Sequence, residues 1–256
     1  MRKAPAIGKH ETLAAAPLFA RGVELQELRA RFAARRSFLF HGPAGVGKTL
    51  LLSLLLREFD VLYSRLNPAP LALYRNLAAA LLEAGDPVLT RRCPGGVLSI
   101  QQRSVLSTKG MVREALHNSG YLVVVDHLAR PSHTLASSIR ELKMDCSVPV
   151  IAVSRSDHME DAGFVLPLFP DRKEKLALRN FEPEAAAHFA RWCAEREGLE
   201  VKNLIELLDK IVDYSDGNPG AIGQMVRMAK SARYSQDGQV KVTPLYIDYK
   251  LAMVGR

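Results

Sequence analysis

Residues 37–56 read SFLFHGPAGVGKTLLLSLLL. A short apolar run, 37–40, has the look of a buried strand. It passes into a loop, 41–47, whose glycines stand at 42, 45 and 47. A leucine-rich helical stretch over 48–58 follows. Gly42-x-x-x-x-Gly47-Lys48-Thr49 satisfies the phosphate-binding loop pattern in full, with the strand before it and the helix after it that the pattern requires. Glycines let backbone N–H groups turn inward around anionic oxygens without Cβ clashes, and the helix N-terminus adds a favourable dipole. Gly42, Pro43, Ala44, Gly45, Val46, Gly47, Lys48, Thr49 and Leu50 are therefore the expected cradle. Lys48 is expected to reach the β- and γ-phosphates, and the Thr49 hydroxyl to face Mg²⁺. The competing reading, a chance glycine-rich turn, does not account for a motif this long in this setting.

Such a loop needs an acid on the metal side. Residues 121–126, YLVVVD, form a continuous apolar run ending in Asp126, which reads as a buried parallel strand with a carboxylate at its end. The competing role for Asp126 is a helix N-cap, since Pro131 soon opens another helix. His127 follows, where many nucleotide hydrolases carry Glu to polarise the attacking water. Imidazole accepts a proton at neutral pH, but the replacement points to slow hydrolysis. A second buried strand, 148–154, ends in Ser154 and Arg155, placed to sense a γ-phosphate or to offset charge developing during phosphoryl transfer. An ordinary surface arginine at a strand end is the competing reading of Arg155.

The chain has 256 residues, 48% of them hydrophobic, enough for one large core or a core with a satellite. Thirty-five Lys and Arg against 27 Asp and Glu give a net charge of +8. An anionic partner such as nucleic acid fits that balance, and so does a dispersed, Arg-rich solvated surface. No run of five like charges marks a basic tail. Cys93, Cys146 and Cys193 are far apart and odd in number, without CxxC or Cys/His metal spacing. A reducing cytoplasm is expected. The stretch 13–20 is short and broken by Pro17, a poor signal-peptide core and too short for a membrane span.

Along the chain, residues 1–17 read as an irregular arm. A helix is expected over 22–35, strand over 60–66, helix over 71–85, loop over 86–102 and helix near 103–118. A helix is expected after Pro131, and a short strand over 176–181. Strands alternating with helices imply a parallel sheet covered on both faces. After Phe181 the pattern becomes helical, with Pro183 opening and Gly198 closing the first helix. A boundary is placed there: core 18–181, helical lid 182–256. Asp237-Gly238 marks a small hairpin before a final helix from about Pro244.

Taken together these motifs resemble the AAA+ and STAND class of P-loop ATPases, particularly the Orc/Cdc6-like and NACHT/NB-ARC-like branches. The resemblance covers about residues 18–255. It implies an α/β three-layer parallel-sheet fold of AAA+ type with a small helical lid. Leu18-x-x-Arg21-x-x-Glu24-Leu25 is similar to the box that lies beside the adenine in that family. Ser154-Arg155 resembles sensor 1 with the Arg of STAND members. Gly217-Asn218-Pro219 is similar to the lid's GxP motif, which implies that Pro219 lies near the nucleotide. As local structure the same turn simply ends one helix and begins another. Arg172 falls where the family carries an arginine finger for a neighbouring subunit, implying a homo-oligomer. His127 in place of the acid, the shortened upstream box and the absence of a sensor 2 Arg depart from the family pattern.

Three functions are compatible with these residues. One is an ATP-binding and ADP-binding conformational switch with slow Mg²⁺-dependent hydrolysis. A second is an ATP-dependent DNA-binding helper, with the Arg91/Arg92 loop and the 103–113 segment on phosphates. A third is a nucleotide-stabilised scaffold for a protein partner. None of them involves a membrane.

Overall fold

The computed structural model describes residues 19–65, 67–117 and 119–254. Leu18 and the arm over 1–17 lie outside the described residues. By their contacts the described residues fall into two units.

The first unit takes Val23–Gly42 and Lys48–Leu178. Its elements, in chain order, are α1 (Gly22–Ala33), β1 (Phe38–His41), α2 (Lys48–Leu55), β2 (Val61–Ser64), α3 (Pro70–Glu83), α4 (Pro87–Arg92), α5 (Val97–Gln101), α6 (Val105–Leu116), β3 (Leu122–Leu128), α7 (His133–Met144), β4 (Val150–Ser154), α8 (Met159–Ala162) and β5 (Lys175–Ala177). The five strands are all parallel, in the order β2-β3-β4-β1-β5. The chain leaves β1, one strand in from the β5 edge, travels to the far edge at β2, returns through β3 and β4 and passes beyond β1 to β5. That reversal opens a crevice at the carboxyl ends of the strands beside β1, where open α/β sheets bind ligands. The strands are apolar without alternation because both faces are covered. Leu39, Leu62, Val123, Val125 and Ala152 join the large core with α3, α6 and α7. On the opposite face Phe38 packs edge-on against Phe32 of α1.

β3 is not regular. Val125 pairs with Ala152 and Leu128 with Ser154, so Asp126 and His127 occupy a bulge opposite a single residue of β4. His127 has φ +57, a left-handed conformation uncommon for any residue but glycine. Bulges of this sort gather beside functional sites, where they re-aim side chains.

The stretch 86–102, expected as loop, carries the helices α4 and α5. Pro87 acts there as the first helical residue rather than as a breaker. The Asp86 carboxylate accepts the N–H groups of Val88 and Leu89 at 2.9 and 3.1 Å, which caps α4. The helix expected over 48–58 is shorter than its pattern, ending at Leu55, because the N–H groups of Glu58 and Phe59 both close on the Leu55 carbonyl.

The second unit takes Pro43–Gly47, the described residues 19–22 and the chain from Arg179. It holds α9 (Pro183–Glu197), α10 (Leu204–Ser215), α11 (Pro219–Ala229), the hairpin β6 (Ser235–Gln236) and β7 (Gln239–Val240), and α12 (Val242–Val254). Ala190, Leu207, Ile211, Ile222, Met225, Val226 and Leu245 form its core. Pro183 opens α9 and Gly198, at φ +63, ends it. No helix among the described residues is long and apolar enough to cross a membrane.

Candidate nucleotide site at the carboxyl ends of the strands

Each strand of the first unit delivers its last residues to one rim. β1 ends at His41 and leads into the loop; α2 begins with Lys48 and Thr49. Lys48 Nζ donates to Gly42 O at 2.5 Å. Burial lowers the Lys48 ammonium to about 8, opposed by the Asp126 charge and reinforced by that of Arg155. A cation held in such surroundings favours an anion strongly.

Asp126 is buried and its carboxylate is crowded. Oδ1 accepts the N–H of His127 at 2.7 Å. Oδ2 accepts the Thr49 hydroxyl at 3.4 Å and the Tyr63 hydroxyl at 2.5 Å. His127 Nδ1 also stands 3.1 Å from Oδ2. Asp126 and Thr49 therefore meet side chain to side chain. Burial first, then the Asp126 charge, push the Tyr63 phenol upward, so it remains a donor. Ser154 is buried, and its hydroxyl donates to Ser156 O at 2.5 Å rather than to Lys48 or Asp126. Arg155 is exposed at the end of β4 and acts on Lys48 through its charge.

The loop segment Pro43–Gly47 is held from the second unit's own elements. Asn218 caps α11 by accepting Ala221 N–H at 3.1 Å, and its amide donates to Ala44 O and Asn180 Oδ1, both at 3.0 Å. Gly220 N–H donates to Gly45 O at 3.0 Å. Gly45 has φ +80, and a Cβ there would stand 2.8 Å from Asn218 Oδ1. Pro219, at the first turn of α11, is thus placed beside the loop backbone. Arg21 is buried, donates to Arg179 O at 2.7 Å and Val46 O at 3.3 Å, and lies over the Phe181 ring. Leu50, in the first turn of α2, is half-buried.

Arg172 is not brought to this rim by any contact among the described residues; it is exposed in the turn Arg172–Glu174. The residues considered for nucleic-acid phosphates all have partners. Arg91 and Arg92 pair with Glu114 at 3.6 and 2.5 Å, Lys109 with Glu141 at 2.6 Å, and Arg113 with Asp145 at 3.8 Å. Arg103 donates to Arg92 O at 2.6 Å.

Sequence reasoning missed Tyr63, Asn67, Gly220 and the side-chain role of Asn218. Tyr63 and Ser64 fall inside the strand expected over 60–66, with no role assigned to either side chain. A tyrosine at the carboxyl end of a strand in a loop-and-acid fold was the available signal.

No protein-family model matches the chain, and no curated protein matches it in sequence. Solved structures do match. A Walker-type ATPase of Pyrococcus abyssi aligns over 93% of this chain and 74% of its own, at 16% identity and a TM-score of 0.57. Drosophila ORC bound to DNA aligns over 99% and 70%, at 13% identity and 0.61. The Thermotoga maritima RuvB Holliday junction branch migration motor aligns over 95% and 69%, at 12% identity and 0.50. The likeness at these identities is one of fold, and the fold is that of the AAA+ P-loop ATPases.

Proposed function

We propose that this protein binds ATP with Mg²⁺ at the P-loop, hydrolyses it slowly and uses nucleotide state as a conformational switch. The observation that carries the proposal is the approach of Thr49 Oγ1 to Asp126 Oδ2, at 3.4 Å, with the half-buried Lys48 ammonium close enough to feel the Asp126 charge. The donors there are oxygens, one hydroxyl and one carboxylate. That set suits a hard cation that keeps waters and takes its other ligands from phosphate. Thr49 and Asp126 would hold Mg²⁺, which supplies charge to the β- and γ-phosphate oxygens when bound.

His127 serves as the base in this reading. Asp126 Oδ2 takes the Nδ1 side of the ring, which leaves Nε2 with its lone pair to accept a proton from water. An imidazole in place of the usual carboxylate supports turnover that is slow rather than absent. Arg155 adds positive charge to the rim. Residues 182–256 act as the lid and 18–181 as the ATPase core. The change in contact partners at Arg179 supports that division. The bonds from Asn218 and Gly220 to the P-loop backbone give the helical region a direct reading of loop shape. Arg172 belongs to the neighbour's site in a homo-oligomer. The three buried, free cysteines fit a reducing cytoplasm.

DNA binding is kept apart from this proposal: the cations considered for it form ion pairs within the chain, and such surface pairs hold a cation only weakly. The deciding experiment compares wild type with Lys48→Ala in ATP binding and phosphate release. Tight binding and slow turnover in wild type, both lost in the variant, are expected. Full ATP affinity in Lys48→Ala would overturn the assignment.

A further inference from the structure

Two residues at the end of β2 grip Asp126 from outside the phosphate loop. The Tyr63 hydroxyl donates to carboxylate Oδ2 at 2.5 Å, and Asn67 Nδ2 donates to the Asp126 main-chain O at 3.3 Å. Asn67 is buried and is itself fixed by Ser64, whose hydroxyl donates to Asn67 Oδ1 at 2.5 Å and whose carbonyl accepts Asn67 Nδ2 at 3.1 Å. The grip falls where β3 breaks its ladder with β4, so the sheet alone does not fix the backbone at Asp126.

A strand-end aromatic chosen only for packing does not need a hydroxyl. Burying one is unfavourable unless it finds a partner. Here the partner is a carboxylate oxygen, which accepts the hydroxyl proton. Of the groups on Oδ2, Thr49 belongs to the phosphate loop motif and His127 is Asp126's own neighbour. Among the described residues Tyr63 alone comes to Oδ2 from a separate strand, so it sets the direction in which Oδ2 points.

We propose that Tyr63 is the positioning residue of the metal carboxylate, its phenol holding Asp126 Oδ2 toward Thr49 so that a divalent cation meets a pre-oriented ligand. The inference rests on the reading of Thr49 and Asp126 as the Mg²⁺ pair. Outer partners that orient metal ligands change metal affinity by roughly 10- to 100-fold when removed. They leave untouched the part of ligand binding that needs no metal.

The test uses the full chain, wild type, Tyr63→Phe and Tyr63→Leu, with a fluorescent ATP analogue titrated in EDTA and at increasing Mg²⁺. Folding is checked by thermal melting, and either folded variant decides. In EDTA the variants are expected to bind within about twofold of wild type. The Mg²⁺ concentration giving half the metal-dependent gain is expected to rise about 10- to 100-fold. An unchanged Mg²⁺ midpoint in a folded variant overturns the inference. So does an equal loss in EDTA and Mg²⁺, which marks a purely structural tyrosine. If wild-type affinity shows no response to Mg²⁺, the metal reading of Thr49 and Asp126 itself falls, and this inference falls with it.

Discussion

Gly220 and Gly45 meet backbone to backbone: Gly220 N–H donates to Gly45 O at 3.0 Å, and a Cβ on Gly220 would stand 2.8 Å from Gly45 Cα. The phosphate loop therefore rests on the first turn of α11 with no side chain between them.

Gly220→Ala tests whether that contact matters. Alanine favours a helix over glycine by about 1 kcal/mol. Overpacking against backbone that cannot rotate away costs about 1–3 kcal/mol. The clash is expected to win narrowly, lowering Tm by a few degrees while displacing the loop. ATP affinity should fall on the order of tenfold, measured by calorimetry. A variant that is more stable and binds ATP normally would show that the loop yields freely.

Asn218 separates capping from gripping. Asn218→Asp keeps an oxygen for the Ala221 N–H but loses the donor to Ala44 O and sets a carboxylate near the loop. Asn218→Ala loses both, at about 1 kcal/mol for the cap alone. Melting is expected to fall more in Asn218→Ala. ATP affinity is expected to fall more in Asn218→Asp, since the added charge opposes phosphate. The same ranking in both measurements would reduce Asn218 to a cap.

The phosphate loop and Asp126 were legible because each is a local pattern: residue types at fixed spacing beside an apolar run. Gly217-Asn218-Pro219 was legible as a turn, but the reach of Asn218 to Ala44 and of Gly220 to Gly45 is a pairing across most of the chain that no local spacing encodes. Tyr63 stayed hidden for a similar reason, since its partner lies on a neighbouring strand and a strand-end tyrosine has an ordinary packing explanation. The helices α4 and α5 were obscured by Pro87 and by Pro94-Gly95-Gly96, residues that end helices in one position and begin them in another.

The lowered Lys48 ammonium gives ATP affinity a pH signature. Below about pH 8 the free protein already carries the proton, and affinity should be flat. Above that, binding must take up a proton, because bound phosphate raises the ammonium again. Affinity should then fall by up to about tenfold per pH unit until the pKa of the complex is reached. Calorimetry at pH 9 in buffers of different ionisation enthalpy is expected to show proton uptake approaching one. Affinity independent of pH between about 7 and 10 would place Lys48 away from the phosphates.

His127→Asn removes the proton acceptor while keeping a residue that tolerates φ above zero. Tm and ATP affinity should stay near wild type. Turnover should drop about 10²-fold or more, the usual contribution of a general base. Undiminished turnover would leave His127 as a bulge residue only.

Arg172 has the mounting of a residue offered to another molecule. Its neighbours are tied down: Lys173 O accepts from Arg31 at 2.9 Å, and Glu174 pairs with Lys143 at 3.4 Å. Its own guanidinium has no hydrogen bond or ion pair among the described residues and stands exposed. A fixed base with a free head is what a trans-acting arginine requires, and such residues contribute roughly 10³- to 10⁵-fold to phosphoryl transfer where they operate. Wild-type turnover per protomer should therefore rise with protein concentration, as copies meet head to tail. Arg172→Ala should bind ATP with wild-type affinity yet show low turnover at every concentration. Mixing it with Lys48→Ala protein, whose Arg172 is intact, should restore activity, because one chain supplies the nucleotide site and the other the arginine. Turnover that is constant per protomer in wild type and unaffected in Arg172→Ala would mean the protein works as a monomer.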